Sequence, residues 1–232
     1  MNKNHFVFGF FGNKREEVHK IYDTIKDKIN DIKYIVEPYA GSAAVSYYIS
    51  TLHPKKFTYI LNDNDNMLIE LYKIMKNKKK SDIFLKKINN ILNDDTMNKA
   101  KYMDIVRQKN IYSWFISHKV FSIRPGLYPA KGYKYKEILF DAPIINFLRT
   151  ENVIIKKGDA TKIYIKYSQN KDAFIFMDPP YMQSCNDFYA SKNLNIYEYV
   201  ANNNFSEYKA KDRKSTRLNS SHMSESRMPS SA

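Results

Sequence analysis

An unbroken apolar run, Ala173-Phe174-Ile175-Phe176-Met177, lies between two aspartates and leads directly into Asp178-Pro179-Pro180-Tyr181. Five consecutive apolar residues with polar neighbours are typical of a strand that is buried on both faces. Two prolines cannot continue a hydrogen-bonded ladder, so the chain must leave the sheet here in a rigid, extended turn. The pattern therefore predicts a carboxylate and an aromatic ring at the carboxyl end of a strand, where open α/β sheets bind ligands.

The residues at this strand end suit a flat ring that carries an exocyclic amine. The Asp178 carboxylate and the Pro179 carbonyl can accept hydrogen bonds from an NH2 group, while Tyr181 stacks on the ring. Pro180 helps to fix the turn that holds these groups together. The alternative is a Pro-Pro turn that only ends a core strand, because four-residue motifs also occur by chance.

Predicted strands and helices alternate through most of the chain. Short apolar runs predict strands over residues 34–36, 57–61, 153–155 and 173–177. Apolar residues at helical spacing predict a helix that carries Val18, Ile25 and Ile29, and further helices over 43–52, 67–75, 82–92 and 97–110. Strand–helix–strand order favours an α/β fold with a doubly wound parallel sheet.

The alternation divides the chain into three parts. Residues 1–76 and 149–210 form the predicted sheet domain, and residues 77–148 are a mainly helical insertion between its two halves. Residues 211–232 lose the isoleucine, tyrosine and phenylalanine of the preceding chain and gain serine and arginine. This aperiodic segment reads like translated adapter sequence joined to a truncated gene, so we expect a disordered tail outside the fold.

Charge and cysteine content restrict the partners and the compartment. The 232 residues carry a net charge of +14, which favours a polyanionic partner such as nucleic acid. The single cysteine, Cys185, excludes an intrachain disulfide and a multi-cysteine zinc site, and no other metal-ligand cluster is visible. No signal peptide is visible in the sequence, and no apolar run is long enough for a membrane span. We expect a cytoplasmic protein that is neither secreted nor bound to a membrane, or one of the host cytoplasm or nucleus if the gene is viral.

Acidic residues end the other predicted strands as well. The loop Glu37-Pro38-Tyr39-Ala40-Gly41-Ser42 joins a strand to a helix, where backbone N–H groups can approach a nucleotide-type ligand. Asp63 follows Gly41 at the spacing of a carboxylate that binds ribose hydroxyls, and Asp159 ends the next strand. Each acid could instead be a turn former, and we expect Asp65 to cap a helix.

These motifs, in this order, resemble those of the Dam-like, D12 class family of N6-adenine-specific DNA methyltransferases. Phe10-Phe11-Gly12-Asn13-Lys14 is similar to the family's amino-terminal motif, and residues 37–43 are similar to its cofactor loop. Asn62-Asp63, Gly158-Asp159 and residues 178–181 resemble its ribose-binding acid, adenine-side acid and catalytic tetrad. The resemblance implies a Rossmann-like methyltransferase sheet with an inserted DNA-recognition subdomain.

The resemblance also implies the cofactor and the residues of the site. The implied cofactor is S-adenosylmethionine, and the implied catalytic residues are the tetrad Asp178, Pro179, Pro180 and Tyr181. The implied cofactor-binding residues are Phe10, Lys14, Glu37, Pro38, Gly41, Asp63, Asp159 and Asp178. No metal is needed, and we expect a monomer that binds DNA.

The insertion resembles the family's DNA-binding hairpin only in part. Residues 114–124 are similar to its aromatic segment, but Arg124-Pro125-Gly126 replaces the usual Asn-Gly before the arginine. We expect Arg124, Lys131, Lys134 and Lys136 to contact DNA, because lysines interleaved with tyrosines suit a phosphate-binding surface. The alternative is a solvated basic hairpin with tyrosines packed beneath it.

Two departures from the family pattern carry consequences. Ala43 stands where a second loop glycine is common, and its methyl group is tolerable if its φ is negative. The family continues with strands that the residues after Tyr181 do not supply, so we expect a truncated chain with little activity. Two rival functions stay open, an RNA methyltransferase that acts on an exocyclic amine and an inactive nucleic-acid-binding remnant.

Overall fold

The computed structural model describes Phe6, residues 14–117 and 142–179, and the backbone of residues 211–214. The strands within these ranges are β1 (Tyr34–Glu37), β2 (Thr58–Asp63), β3 (Val153–Lys157), β4 (Ala173–Met177) and β5 (Lys211–Lys214). The helices are α1 (Val18–Asp23), α2 (Ala44–Leu52), α3 (Asn66–Lys76), α4 (Lys78–Leu92), α5 (Lys99–Arg107), α6 (Ile111–Phe115), α7 (Pro143–Arg149) and α8 (Ala160–Ser168). None of these helices is both long enough and apolar enough to cross a membrane.

The strands form one parallel sheet in the order β3-β2-β1-β4-β5. Val36 in the central strand β1 is level with Ile60 of β2 on one side and with Ile175 of β4 on the other. Helix α8 packs on the face of the sheet that these three residues share, while α2 and α3 pack on the opposite face. Helices on both faces and the 3-2-1-4 order confirm the doubly wound, Rossmann-like α/β fold.

The sequence predicted β4 residue for residue because its boundaries are sharp. All five of its residues are buried, Asp172 precedes it and Pro179 follows shortly after it.

The amino-terminal helix is shorter than predicted. Helix α1 ends at Asp23, and residues 26–31 form a 3₁₀ helix that still buries Ile29. Ile25 stays buried between the two, so the apolar spacing reflects burial on one side rather than one continuous helix.

The insertion shares its hydrophobic core with the sheet. Phe84 of α4, Tyr102 of α5 and Phe115 of α6 are fully buried in the same cluster as Ile35 of β1 and Phe174 of β4. The described part of residues 77–148 is helical, as predicted. A continuous core does not mark a boundary at either end of this segment, so the division at residues 77 and 148 stays a prediction.

Two basic side chains join the points where the insertion leaves and re-enters the sheet domain. Lys76, at the end of α3, donates to the backbone carbonyls of Thr150 at 2.9 Å and Val153 at 2.5 Å. Arg149, at the end of α7, donates to the Met75 carbonyl at 3.3 Å and to Ser81 Oγ at 2.5 Å. These bonds satisfy carbonyls near the ends of α3 and α7 that no intrahelical donor can reach.

The tail needs a correction, because residues 211–214 are not outside the sheet in this structure. They form β5, which runs parallel to β4 with Lys211 level with Phe174 and Lys214 level with Met177. The free edge of β4 presents unpaired backbone N–H and C=O groups, and an extended segment can pair with them through its own backbone. Such pairing needs no apolar pattern, so residues 211–214 carry no sequence signal for a strand.

We expect Arg149→Met to lower the free energy of unfolding by about 2 kcal/mol, because bonds from a charged donor to partly buried acceptors are lost. Urea denaturation measures the change. Arg107→Met is the matched control, since Arg107 pairs with Asp104 at 2.9 Å with 73% of its side chain exposed. The control substitution should lower the free energy of unfolding by less than about 0.5 kcal/mol. Equal losses in the two variants would contradict a structural role for Arg149.

Candidate active site

The carboxyl ends of the central strands bring the predicted acids to one edge of the sheet. Glu37 ends β1, Asp63 ends β2 and Asp178 directly follows β4. The chain crosses one face of the sheet from β1 to β2 and the other face from β3 to β4. The crevice between β1 and β4 is therefore the switch point of the fold, where doubly wound sheets bind their ligands. Glu37 and Asp178 flank this crevice.

Asp178 forms an ion pair with Lys14 from the amino-terminal motif. Lys14 Nζ lies 2.9 Å from Asp178 Oδ2, and only 13% and 16% of the two side chains are exposed. Pro179 is buried beside them. The structure thus brings together two residues that are far apart in sequence and that were both predicted for the site. Phe10, Pro180 and Tyr181 lie outside the described residues.

Glu37 is a buried acid at the end of β1. It is 2% exposed, and its Oε1 accepts a hydrogen bond from the Ser46 backbone N–H of α2 at 2.8 Å. Burial raises the pKa of Glu37 to about 7, the bonds from Ser46 oppose this shift, and the charge of Asp178 adds to it. The carboxyl group therefore changes its charge near neutral pH.

The loop between β1 and α2 contains two residues in the left-handed backbone region. Gly41 has a φ of 48° and Ala43 a φ of 54°, and Ala43 is fully buried. The condition for tolerating Ala43 without strain, a negative φ, is not met. A left-handed alanine costs about 1–2 kcal/mol, because its Cβ crowds the following carbonyl oxygen. The glycine common at this place in the family would avoid that cost.

Asp63 organises the same loop through its carboxylate. Asp63 Oδ2 accepts from the Gly41 backbone N–H at 3.1 Å, and Oδ1 accepts from the Asp65 N–H at 3.0 Å. Tyr72 of α3 donates its hydroxyl hydrogen to the Gly41 carbonyl. Burial raises the pKa of Asp63, and the backbone hydrogen bonds partly oppose that shift. The Asn64 backbone also bonds to this carboxylate, and a carboxylate with about four lone-pair sites can still accept from a ligand hydroxyl.

Asn62 joins three strand ends and was missed as an organising residue. Its side-chain amide donates to the Pro38 carbonyl at 2.9 Å and to the Gly158 carbonyl at 3.0 Å. The backbone carbonyl of Asn62 accepts a hydrogen bond from the Ala40 backbone N–H at 2.8 Å. Asn62 is fully buried at the end of β2, so the loops after β1 and β3 are held against it. The only sequence signal was a polar residue at the end of an apolar strand.

Two of the strand-end acids cap helices. Asp65 accepts from the backbone N–H groups of Met67 and Leu68 at the start of α3, which confirms its predicted role. Asp159 accepts from the Thr161 N–H at the start of α8 at 2.8 Å, and it is exposed. Its predicted contact with an adenine ring stays a prediction, and the cap is the alternative role that strand-end acids often have.

Arg15 is a second cation at the site that the sequence did not single out. It is 7% exposed, and its guanidinium carbon lies 4.3 Å from the centre of the Phe6 ring. Burial lowers its pKa, and Tyr72 opposes that shift. Lys14 and Arg15 are adjacent in sequence, so the amino-terminal motif brings two positive charges to an edge that carries Glu37, Asp63 and Asp178.

The predicted DNA-contacting residues Arg124, Lys131, Lys134 and Lys136 lie outside the described residues, so their roles stay predictions. Among the described residues, no group of three histidine, cysteine or acidic side chains converges closely enough to hold a metal ion. The acids of the site instead meet backbone N–H groups and a lysine. Such an arrangement suits an organic ligand with hydroxyl groups and positive charge.

The fold and this edge define the class: a doubly wound α/β protein whose ligand crevice is lined by acidic strand ends. The model of one family, the D12 class N6 adenine-specific DNA methyltransferases, matches residues 10–128, just over half of the chain. The protein belongs to this family. The match includes Lys14, Glu37 and Asp63 and ends before Asp159 and Asp178. A comparison with curated proteins finds no match.

We expect Glu37→Gln to flatten the dependence of stability on pH. The folded-state pKa of about 7 lies above the ordinary 4.5, so between these values folded Glu37 holds a proton that the unfolded chain has released. The free energy of unfolding of the wild type therefore falls as pH rises through this window, by about 3 kcal/mol from this group. Glutamine stays neutral and removes this contribution.

Urea denaturation at several pH values between 5 and 8 measures the effect as the difference between wild type and variant. Glu70→Gln is the matched control, because Glu70 is exposed on α3. The free energy of unfolding of the control should change with pH in parallel with that of the wild type. A Glu37→Gln curve that also runs parallel would show that Glu37 does not titrate in this window.

Proposed function

We propose that this protein transfers a methyl group from S-adenosylmethionine to N6 of adenine in DNA. The observation that carries the proposal is the position of Asp178, at the switch point of the sheet, ion-paired with Lys14. Family membership supports the reaction class, since the family acts on N6 of adenine in DNA. The acids at the ends of β1 and β2 support a cofactor with hydroxyl groups and positive charge.

The chemistry of the strand-end residues fits S-adenosylmethionine. Asp63 would accept hydrogen bonds from ribose hydroxyls, with Gly41 and Pro38 shaping the loop beside it. Glu37 would face the positive charge, and Lys14 would pair with the carboxylate of the amino-acid part. Phe10 and Asp159 would complete the site as the family resemblance implies. When bound, the cofactor supplies a methyl group on a positively charged sulfur, which makes that carbon electrophilic.

Asp178 would act on the adenine amine. The lone pair of N6 is delocalised into the ring, so the amine is a poor nucleophile in its planar form. Hydrogen bonds from N6–H2 to the Asp178 carboxylate and the Pro179 carbonyl would favour a tetrahedral nitrogen with a lone pair that can attack. As the N6–carbon bond formed, the carbon–sulfur bond of the cofactor would break and release the neutral thioether, and N6 would lose one of the protons that it donates in these hydrogen bonds. The same acceptors would stabilise the positive charge that develops on N6, so they would act more strongly in the transition state than in the ground state.

The adenine must leave the helical stack to reach this position. Unstacking and unpairing cost a few kcal/mol, which stacking on Tyr181 would offset. Arg124, Lys131, Lys134 and Lys136 in the insertion would contact the DNA around the target, which fits the net charge of +14. We propose that the protein acts as a monomer.

We expect Asp178→Ala to abolish methylation of duplex DNA while DNA affinity changes little, because this carboxylate acts on the amine and not on phosphates. Transfer of a radioactive methyl group measures the activity. Asp172→Ala is the matched control at the opposite end of β4, where Asp172 pairs with the exposed Lys33. The control should retain activity. Turnover of Asp178→Ala near that of the wild type would refute the catalytic assignment.

We expect Asp63→Ala to weaken cofactor binding by roughly 1–3 kcal/mol, because a charged acceptor of hydroxyl groups is lost. Isothermal titration calorimetry with S-adenosylmethionine measures the affinity. Asp65→Ala is the control two residues away, and loss of its helix cap should lower stability by about 1 kcal/mol with little effect on affinity. Unchanged affinity in Asp63→Ala, with the variant folded, would remove the ribose-binding role.

A further inference from the structure

Helix α4 presents a strongly basic face to solvent. Its buried side carries Phe84, Leu85, Ile88 and Leu92, which pack in the main core. Its exposed side carries lysines at helical spacing, with Ile83 between them at 57% exposed. The exposed lysines that form no ion pair with any described residue are Lys79, Lys80, Lys86 and Lys87. We call these four lysines the α4 basic face.

Contacts with the part of the chain that the structure describes do not neutralise this face. Asp82 is the only acid on α4, and it already faces Lys78 at 3.3 Å and Arg149 at 3.7 Å. Lys87 lies 4.1 Å from the centre of the Tyr112 ring, a contact that leaves its charge uncompensated. The first turn of α4 contains three lysines and no acid. Cations at this end oppose the helix dipole, so helix stability does not account for them.

The α4 basic face begins far from the candidate active site. Arg149 bonds to Ser81 of α4, and Lys76 bonds to Val153 at the start of β3. The amino end of α4 therefore lies at the amino-terminal edge of the sheet, whereas Asp63 and Asp178 lie at the carboxyl edge. The six residues of β2 separate these edges by about 20 Å.

We propose that the α4 basic face binds the phosphate backbone of duplex DNA outside the modified site. The inference rests on the proposed function in taking DNA as the polyanion. It adds a contact surface on a helix to the lysines at 131, 134 and 136 that the sequence predicts to contact DNA. Lysines along one face can each meet a phosphate without reading bases, so the contact is independent of sequence.

The structure favours nucleic acid over an anionic membrane as the partner. A helix that binds a membrane surface buries its apolar face in the lipid. The apolar face of α4 is already buried in the protein core, and Ile83 alone does not replace it. The four lysines lie within residues 79–87, about 12 Å along the helix axis, which is long enough to face several regularly spaced phosphates of one DNA strand.

The test is the salt dependence of binding to duplex DNA of mixed sequence, measured by fluorescence anisotropy. Replacing Lys79, Lys80 and Lys86 with glutamine should reduce the slope of log K against log salt by up to about 2.7, since each phosphate contact contributes about 0.9. The matched control replaces the exposed Lys20, Lys28 and Lys55, which removes the same charge elsewhere on the sheet domain. Its slope should stay within about 1 of the wild type.

A second variant with arginine at the three α4 positions keeps the charge and should restore the slope. An unchanged slope in the glutamine variant, or an equal loss in the control, would overturn the proposal. The proposal would also be overturned if the glutamine variant kept its salt dependence on DNA but lost its binding to phosphatidylserine vesicles. Methylation and S-adenosylmethionine binding are measured on the same variants. A reduced slope without any methylation by the wild type would support the α4 surface and reject the proposed reaction.

Discussion

The position of β1 between β2 and β4 is the constraint on which the site depends. Because the crossovers to its two neighbours lie on opposite faces, none of the described helices covers the carboxyl end of β1 on the β4 side. Glu37 and Asp178 flank that opening, and Lys14 reaches it from the amino-terminal segment. A shift of one residue in the pairing of β4 with β1 would move each side chain of β4 to the other face of the sheet. Asp178, which directly follows β4, would then no longer face the opening. The fully buried β4 sets that register through its packing on both faces.

Charge balance at this opening explains why so many ionisable groups can be buried together. Glu37 and Asp63 have raised pKa values because burial disfavours their charged forms. Lys14 and Arg15 supply positive charge at the same edge, and backbone N–H groups of Gly41 and Ser46 supply partial positive charge. A buried acid with raised pKa gains its charge when a cation comes close. The site is therefore arranged to favour a positively charged ligand.

The sequence was sufficient for strands β1 to β4 and the fold class, because these strands are short apolar runs with sharp ends. It also identified Asp65 as a helix cap, since the pattern around that residue is local. Contacts between segments that are far apart in the sequence could not be predicted from it. The Lys14–Asp178 ion pair and the bonds of Asn62 to Pro38 and Gly158 depend on strand order and register. The left-handed Ala43 was also unexpected, because nothing in a single alanine signals the strain that its neighbours impose.

The shared core gives the insertion a mechanical connection to the site. Tyr47 of α2 packs on Phe147 of α7 with ring centres 5.9 Å apart, and Tyr59 of β2 packs edge-on against the same ring at 5.0 Å. Phe147 lies two residues before Arg149, which bonds to α3 and α4. A force on α4 from bound DNA would therefore act on α7, and through Phe147 on β2, which ends at Asp63. Rigid packing transmits such shifts without a hinge, because close-packed interiors deform little. Helix α4 and the ligand-binding edge of the sheet are for this reason parts of one packed unit.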